Sequence, residues 1–187
     1  MTRIIAGFAG SLSITVPASD TRPTSDRVRE AMFSALEARD AVRGTRVADL
    51  YAGSGALGLE AASRGAAHVT LVEKSPAAAA ACRRNAAVVL ASAPDQGAPE
   101  VQVSAGPVRP FLASSTDSWD LVFLDPPYHL DDNELAADLA LLSPRLSPEA
   151  LVVVERSSRS PQPALPDGLT LERRKDYGDT TLWWLSA

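Results

Sequence analysis

The sequence predicts an α/β protein built on one open, mostly parallel sheet of seven strands that closes with an antiparallel hairpin, preceded by a small β-hairpin and a helix. Three observations predict it. From residue 44 onward, short β-branched runs alternate with helical stretches, the pattern of a sheet wound by crossover helices. Those runs are almost continuously apolar, as strands covered on both faces are. The last two, "LTLERRKDYG" (169–178) and "TTLWWLS" (180–186), are joined only by a tight turn at Gly178-Asp179, so they pair antiparallel.

Taken in order, "RIIAGFAGSLSITV" (3–16) holds two short β-branched runs separated by Gly7, Gly10 and Ser11 and predicts a hairpin. Within "TRPTSDRVREAMFSALEAR" (21–39), Pro23 and Thr24 or Ser25 are start signals, and Val28, Met32, Ala35 and Leu36 are spaced for one buried helical face. These two elements form an N-terminal extension over 1–40. The remainder, 41–187, is expected to be one domain. Strand "RVADLY" (46–51) precedes helical "GALGLEAASRGA", and "HVTLVE" (68–73) precedes an alanine-rich helix starting at Ser75. After a Pro/Gly loop at 94–99 come "EVQVS" (100–104), a short helix near 107–114, "WDLVFLD" (119–125), a helix around 132–142 and "ALVVVER" (150–156).

Composition bounds the rest. At 187 residues the chain suits one domain with a sizeable core plus a small appendage. No apolar run approaches the ~20 residues of a membrane span, and Arg3, Gly7, Gly10 and Ser13 break any signal-peptide core, so a cytoplasmic protein is expected. One cysteine, Cys82, excludes an internal disulfide. With only His68 and His129, far apart, no metal-ligand spacing exists and no metal is expected. Net charge is −5, against a nucleic-acid partner at first sight, but residues 44–155 hold the whole excess, seven bases against fourteen acids, and both ends are neutral to basic.

Chemistry concentrates after two strands. "DLYAGSGALGLE" (49–60) carries Gly53-Ser54-Gly55-Ala56-Leu57-Gly58, a G-x-G-x-x-G between strand and helix that lets a ligand approach the backbone. Glu73 ends the next strand 20 positions after Gly53, where an acid accepts hydrogen bonds from ribose hydroxyls. These features suit NAD and S-adenosylmethionine alike. Asp49 leans toward the latter, because its charge opposes a pyrophosphate and suits the cationic amino group of a methionine moiety. The second site is Asp125-Pro126-Pro127-Tyr128, at the carboxyl end of a strand, the edge at which such sheets bind ligands. A base's exocyclic amine is a poor nucleophile because its lone pair is delocalised. Two acceptors, the Asp125 carboxylate and the Pro126 carbonyl, favour a pyramidal nitrogen with its lone pair aimed at a methyl donor. The prolines stiffen the mount, and Tyr128 supplies a stacking face. Cys82, mid-helix in "AAAACRRN", reads as a packing residue away from the strand tips, which excludes the cysteine nucleophile used in methylating pyrimidine carbons.

Together these residues resemble the RsmD family, bacterial methyltransferases of guanine N2 in 16S ribosomal RNA. The likeness runs through "RIIAG" (3–7), "TRPTSDRVREAMFSAL" (21–36), "DLYAGSGALGLEAASRGA" (49–66), "LVEKS" (71–75), "DLVFLDPPY" (120–128) and "YGDTTL" (177–182). The quartet is shared with many amino methyltransferases; "TRPTSDRVREAMF" narrows the match. The resemblance implies a Rossmann-like class I fold dependent on S-adenosylmethionine. It implies Asp49, Tyr51, Gly53, Ser54, Gly55, Glu73, Lys74, Ala105 and Thr24 around the cofactor, and Asp125 to Tyr128 for catalysis. Arg22, Arg27 and Tyr128 would contact the substrate, with the segment of Arg22, Thr24 and Arg27 covering the cofactor. It further implies 16S rRNA or the assembling 30S subunit as partner, and a monomer acting without metal or membrane. One departure is "VSAGPV" (103–108): related enzymes often have a polar side chain for the adenine amine, and here Ala105 offers only its backbone. Surface salt bridging with Asp20, Asp26 or Glu30 competes as a role for Arg22 and Arg27. Arg173, Arg174 and Lys175 suit phosphate contacts or a solvated strand face equally. Other readings are a DNA methyltransferase for adenine N6 or cytosine N4, an NAD-dependent oxidoreductase, which has no use for the quartet, and a non-catalytic RNA-binding module.

Overall fold

A computed structural model of the chain describes residues 2–17 and 25–187. At its start, β1 (Thr2–Arg3) and β2 (Ser13–Ile14) pair antiparallel. The expected hairpin is therefore present, but its ladder is only two residue pairs long. The intervening N–H groups go elsewhere. Ile5 and Ala6 donate to the two Glu60 carboxylate oxygens (2.7 and 3.0 Å), and Ala9 donates to the Ser63 hydroxyl (2.9 Å). Helix α1 (Asp26–Glu37) follows, with Ser25, the second of the two expected start residues, accepting from the Val28 N–H at 3.3 Å.

The main sheet then forms from β3 (Arg46–Leu50), β4 (His68–Glu73), β5 (Glu100–Ala105), β6 (Trp119–Leu124) and β7 (Leu146–Ser157), all parallel, and β8 (Thr170–Tyr177) and β9 (Thr180–Ser186), an antiparallel pair. Spatial order is β5-β4-β3-β6-β7-β9-β8. The order reverses between β3 and β6, which opens a crevice at the carboxyl edge where ligands bind in such sheets.

Strand alternation divides the core. On one face Val47, Val69, Leu71, Leu121 and Phe123 pack against α1, α2 (Ala56–Ser63) and α3 (Pro76–Leu90). On the other, Ala48, Leu50, Val72, Val122 and Val154 pack against α4 (Val108–Ser114) and α5 (Asp132–Leu142). Ile4, Ala9 and Ile14 of the N-terminal extension belong to the first of these clusters, so its core is continuous with that of the sheet. One strand departs from expectation: β7 begins at Leu146 rather than 150, fed directly by a 3₁₀ turn over Ser143–Arg145. Its first residues carry Pro148 and Glu149 at φ 64°, and the β6 register slips there, so the lead-in lacks a strand's apolar signature.

A buried polar network fastens the extension. The fully buried Glu60 carboxylate takes the Ile5 and Ala6 N–H groups and the Arg64 Nε (2.7 Å). Arg64 also reaches Glu37 (2.9 Å) and lies over the Phe33 ring, 5.0 Å from its centroid. Glu60→Ala leaves the buried Arg64 Nε and two backbone donors without their acceptor, with Arg64 paired to Glu37 alone. Unfolding in urea should show a loss of about 3–5 kcal/mol, the scale of a broken buried pair; a change below about 1 kcal/mol would show that the network is dispensable.

Candidate functional site

Asp49 lies near the carboxyl end of β3, buried, with one carboxylate oxygen accepting from the Gly58 N–H at 2.8 Å. Helix α2 has no side-chain cap of its own; Gly55 precedes it at φ 79°, a conformation that suits glycine, and Asp49 supplies the missing acceptor. The helix is pressed onto the sheet at Gly58, where an added Cβ would lie 2.3 Å from Leu71 Cδ2. Burial, with a smaller push from the nearby Glu73 charge, raises the Asp49 carboxyl from 3.8 to about 7 against the opposing Gly58 hydrogen bond. Such an acid gains from a cation placed beside it.

Glu73 ties the glycine loop to β4. One oxygen accepts from the Gly53 N–H (2.8 Å) and the other from the Ser75 N–H (2.7 Å), leaving a lone pair on each for ligand hydroxyls. From α3, Asn85 grips the loop and the extension together: its amide donates to the Ser54 and Thr15 carbonyls (2.8 Å each) and its oxygen accepts from the Thr15 N–H (2.9 Å). Cys82 corrects an expectation. It is a buried packing residue, but it is not remote from the strand tips, since its thiol donates to the Gly53 carbonyl at 3.2 Å. Burial pushes its pKa up to about 12, which disfavours the nucleophilic thiolate.

The opposite wall comes from the α4/α5 face. Tyr51 sits at φ 69°, a region costing a non-glycine residue about 1–3 kcal/mol, and its hydroxyl donates to buried Asp138 of α5. Asp138 also accepts from Arg109 Nε (3.0 Å), and Arg109 donates on to the Glu134 carbonyl (3.0 Å). Desolvation and this acidic partner hold the Tyr51 hydroxyl far above its ordinary pKa, so it remains a donor. At the tip of β6, Asp125, Pro126, Pro127 and Tyr128 close the end of the cleft. Arg156 of β7 anchors the segment that follows, donating to the Leu130 carbonyl and to Asp132 (3.0 Å each).

These walls enclose about 560 Å³, within the ~300–1,000 Å³ of ligand-sized clefts. Asp49, Tyr51, Gly53, Ser54, Glu73, Lys74 and the whole Asp125–Tyr128 quartet line it. Gly55 stands behind the lining, shaping the loop. Ala105, expected at the adenine end, ends β5 outside the wall; Pro107 and Val108, the next residues inward, line it instead. Arg27 is exposed on α1 and is not part of the lining. Arg22 and Thr24 fall outside the described residues. Asp26, an expected partner for Arg22 or Arg27, engages Arg29 (3.0 Å) and Arg3 (3.8 Å).

Sequence reasoning missed Arg29, Arg109 and Asp138. Arg29 is buried, lines the cleft, and binds Thr2, the Arg3 carbonyl and Asp26; burial lowers its pKa. Its spacing to Phe33 and Leu36 on the buried face was the available signal. Arg109 and Asp138 carried none, because they meet from different helices. On β8, Arg174 lies over the Trp183 ring (5.1 Å) and pairs with Asp176 (3.1 Å), while Lys175 lies over Tyr177 (5.1 Å). Among the described residues, no group of three or more His, Cys, Asp or Glu side chains is arranged to hold a metal.

The strand order, the antiparallel final pair, the glycine loop facing an acid on the next strand and the proline quartet at the switch point define a class I methyltransferase. A family profile described as "Conserved hypothetical protein 95" matches residues 2–186. The chain belongs to this family, the RsmD family. It is 35% identical over 177 residues to ribosomal RNA small subunit methyltransferase D of Escherichia coli K12, covering 94% of this chain and 85% of that one. The protein of the same name from Haemophilus influenzae is 34% identical over 179 residues, covering 94% and 89%. Among solved structures, an Escherichia coli protein provisionally named methyltransferase yhhF superposes with a TM-score of 0.82 at 33% identity, covering 99% and 97%. A hypothetical protein of Thermus thermophilus gives 0.81 at 33%, covering 98% of each chain.

The raised Asp49 pKa carries a pH signature. Its stabilising share is complete below about 3.8, where the group is protonated folded or unfolded, and is lost as pH rises through about 7. The ligand-free protein should therefore lose stability between these values. Asp49→Asn, whose side-chain oxygen still caps Gly58, should flatten that slope in denaturant titrations at stepped pH; an unchanged slope would place the titration elsewhere.

Proposed function

We propose that this protein transfers a methyl group from S-adenosylmethionine to the exocyclic N2 amine of a guanine in 16S ribosomal RNA. The observation that carries the reading is that the Asp125–Tyr128 quartet lines the same cleft as the glycine loop and Glu73. The relatives named ribosomal RNA small subunit methyltransferase D support the choice of substrate. The bland alternative, that the quartet only terminates a strand, leaves its shared cleft with the loop unexplained.

S-adenosylmethionine, when bound, supplies a methyl group on a positively charged sulfur. This chain's residues fit it: Asp49 is a buried acid that gains from a cationic amino group, and Glu73 keeps lone pairs for ribose hydroxyls. Pro107 and Val108 offer an apolar wall for an adenine ring. Asp125 and the Pro126 carbonyl accept the two hydrogens of the target amine and direct its lone pair along the line of attack. Asp125 then takes the proton released after transfer, and no covalent enzyme intermediate is needed. Tyr128, 61% exposed, offers its ring to the extruded base. The segment of Arg22, Thr24 and Arg27 covers the cofactor and helps position RNA. With a net charge of −5, the enzyme is suited to a preassembled 30S particle, where ribosomal proteins share the work of neutralising phosphate. It acts in the cytoplasm as a monomer.

The decisive experiment maps the methylated nucleotide after incubation with unmodified 30S particles, beside naked 16S RNA and duplex DNA. One N2-methylguanine in the particle is expected; labelling of adenine or cytosine amines in DNA would overturn the substrate, and equal activity on naked RNA would overturn the particle preference. Asp125→Ala should lower kcat by about 10²–10⁴-fold while S-adenosylhomocysteine still binds by calorimetry; near-normal turnover would sink the mechanism. Tyr128→Ala should weaken kcat/KM by about 1–3 kcal/mol and Tyr128→Phe should restore it, because a stacking ring needs no hydroxyl.

A further inference from the structure

Beside the quartet lies a small polar notch lined by Asp125, Pro126, Tyr128, Glu155, Arg156, Ser157 and Ser160. Asp125, Pro126 and Tyr128 line both spaces, so the notch adjoins the cleft at the quartet. Glu155 arrives there through the parallel register of β6 and β7: Leu124 pairs with Val154, and Asp125 and Glu155 are the next residues along each strand. Two acidic residues thus leave adjacent strand tips in register and line one notch, one of them the acceptor proposed for the target amine. Nothing in the proposed mechanism uses the second.

A chemical difference between the bases gives it a use. The amine of guanine is flanked on its hydrogen-bonding edge by N1–H, a donor, and then by O6, an acceptor. The amines of adenine and cytosine are flanked by a bare ring nitrogen, an acceptor, which a carboxylate repels. We propose that Glu155 is the specificity-determining residue for guanine, accepting the N1–H of the target base while Asp125 holds its N2 amine. The Ser157 and Ser160 hydroxyls, lining the same notch, are donors suited to O6. Two acceptors and the hydroxyl donors of one notch match the two donors and one acceptor of the guanine edge. An adenine or cytosine presented the same way sets its ring nitrogen against the Glu155 carboxylate. A site built to hydrogen-bond one pattern rejects the mismatched one strongly, because buried groups are left unpaired. Arg156, the next residue on the strand, anchors the Leu130–Asp132 segment that follows the quartet.

This inference rests on the guanine N2 reading and is tested separately from it. Particles assembled with 16S RNA carrying 2-aminopurine at the target position retain the C2 amine but present a bare N1. The wild-type enzyme should methylate guanine far better than 2-aminopurine. Glu155→Gln, whose amide donates to a bare N1, should lower that preference at least about tenfold and leave S-adenosylhomocysteine binding unchanged. Equal wild-type rates on the two bases would overturn the proposal without any variant, as would an unchanged preference in Glu155→Gln or loss of its cofactor-product binding. Absence of transfer to any guanine, with transfer to another base's amine, would instead overturn the underlying substrate reading.

Discussion

The hydrogen bond from the Gly58 N–H to the buried Asp49 carboxylate joins the central strand to the helix that shapes the cleft. Helix α2 begins on a left-handed glycine and has no side-chain cap, so its first turn depends on an acceptor supplied by the sheet. Because that acceptor is a carboxylate withdrawn from water, the bond carries an electrostatic penalty, visible in a pKa raised to about 7. A cationic ligand offsets the penalty. The group that positions the helix is thereby also a buried acid lining the cleft, whose ionised form a neighbouring positive charge would favour.

The same helix carries the N-terminal extension. Glu60 and Ser63, on the outer side of α2, bind the backbone of residues 5–9, and Asn85 binds Thr15 and the glycine loop together. A displacement of α2 would therefore be felt in the cleft and in the extension that borders it through Val16, Pro17 and Arg29. A bidentate contact of Arg39 with Glu172 (2.7 and 3.2 Å) links the chain just beyond α1 to the edge strand β8.

At the other end of the cleft, rigidity comes from the chain itself. Two consecutive prolines fix the backbone leaving β6, and Arg156 ties down the turn that follows them. A mount this stiff fixes the edge that the cleft and the adjoining polar notch share. Positioning of this kind is the principal means of accelerating a direct displacement, since the donor methyl group is already activated by its sulfur.

Local sequence was sufficient for everything that depends on periodicity or on a turn. The seven strands, α1 to α5, the glycine loop and the Asp125–Tyr128 tip were legible because each is encoded within a short stretch of chain and obeys a spacing rule. The extent of β1 and β2 was not, because their neighbours' N–H groups are satisfied by Glu60 and Ser63, more than fifty residues away. The lead-in of β7 escaped notice because Pro148 and Glu149 obscure its strand pattern. At the site, Arg29, Arg109, Asp138 and Glu155 were unmarked. Each acquires its role only when strands or helices distant in sequence bring it beside a partner. By itself the sequence determined the class of fold and the two motifs of the cleft, since local hydrogen bonding and burial dictate both. Only the tertiary structure decided which charges meet across the cleft and what stands beside the quartet, because strand order and register, set by the whole core, choose those neighbours.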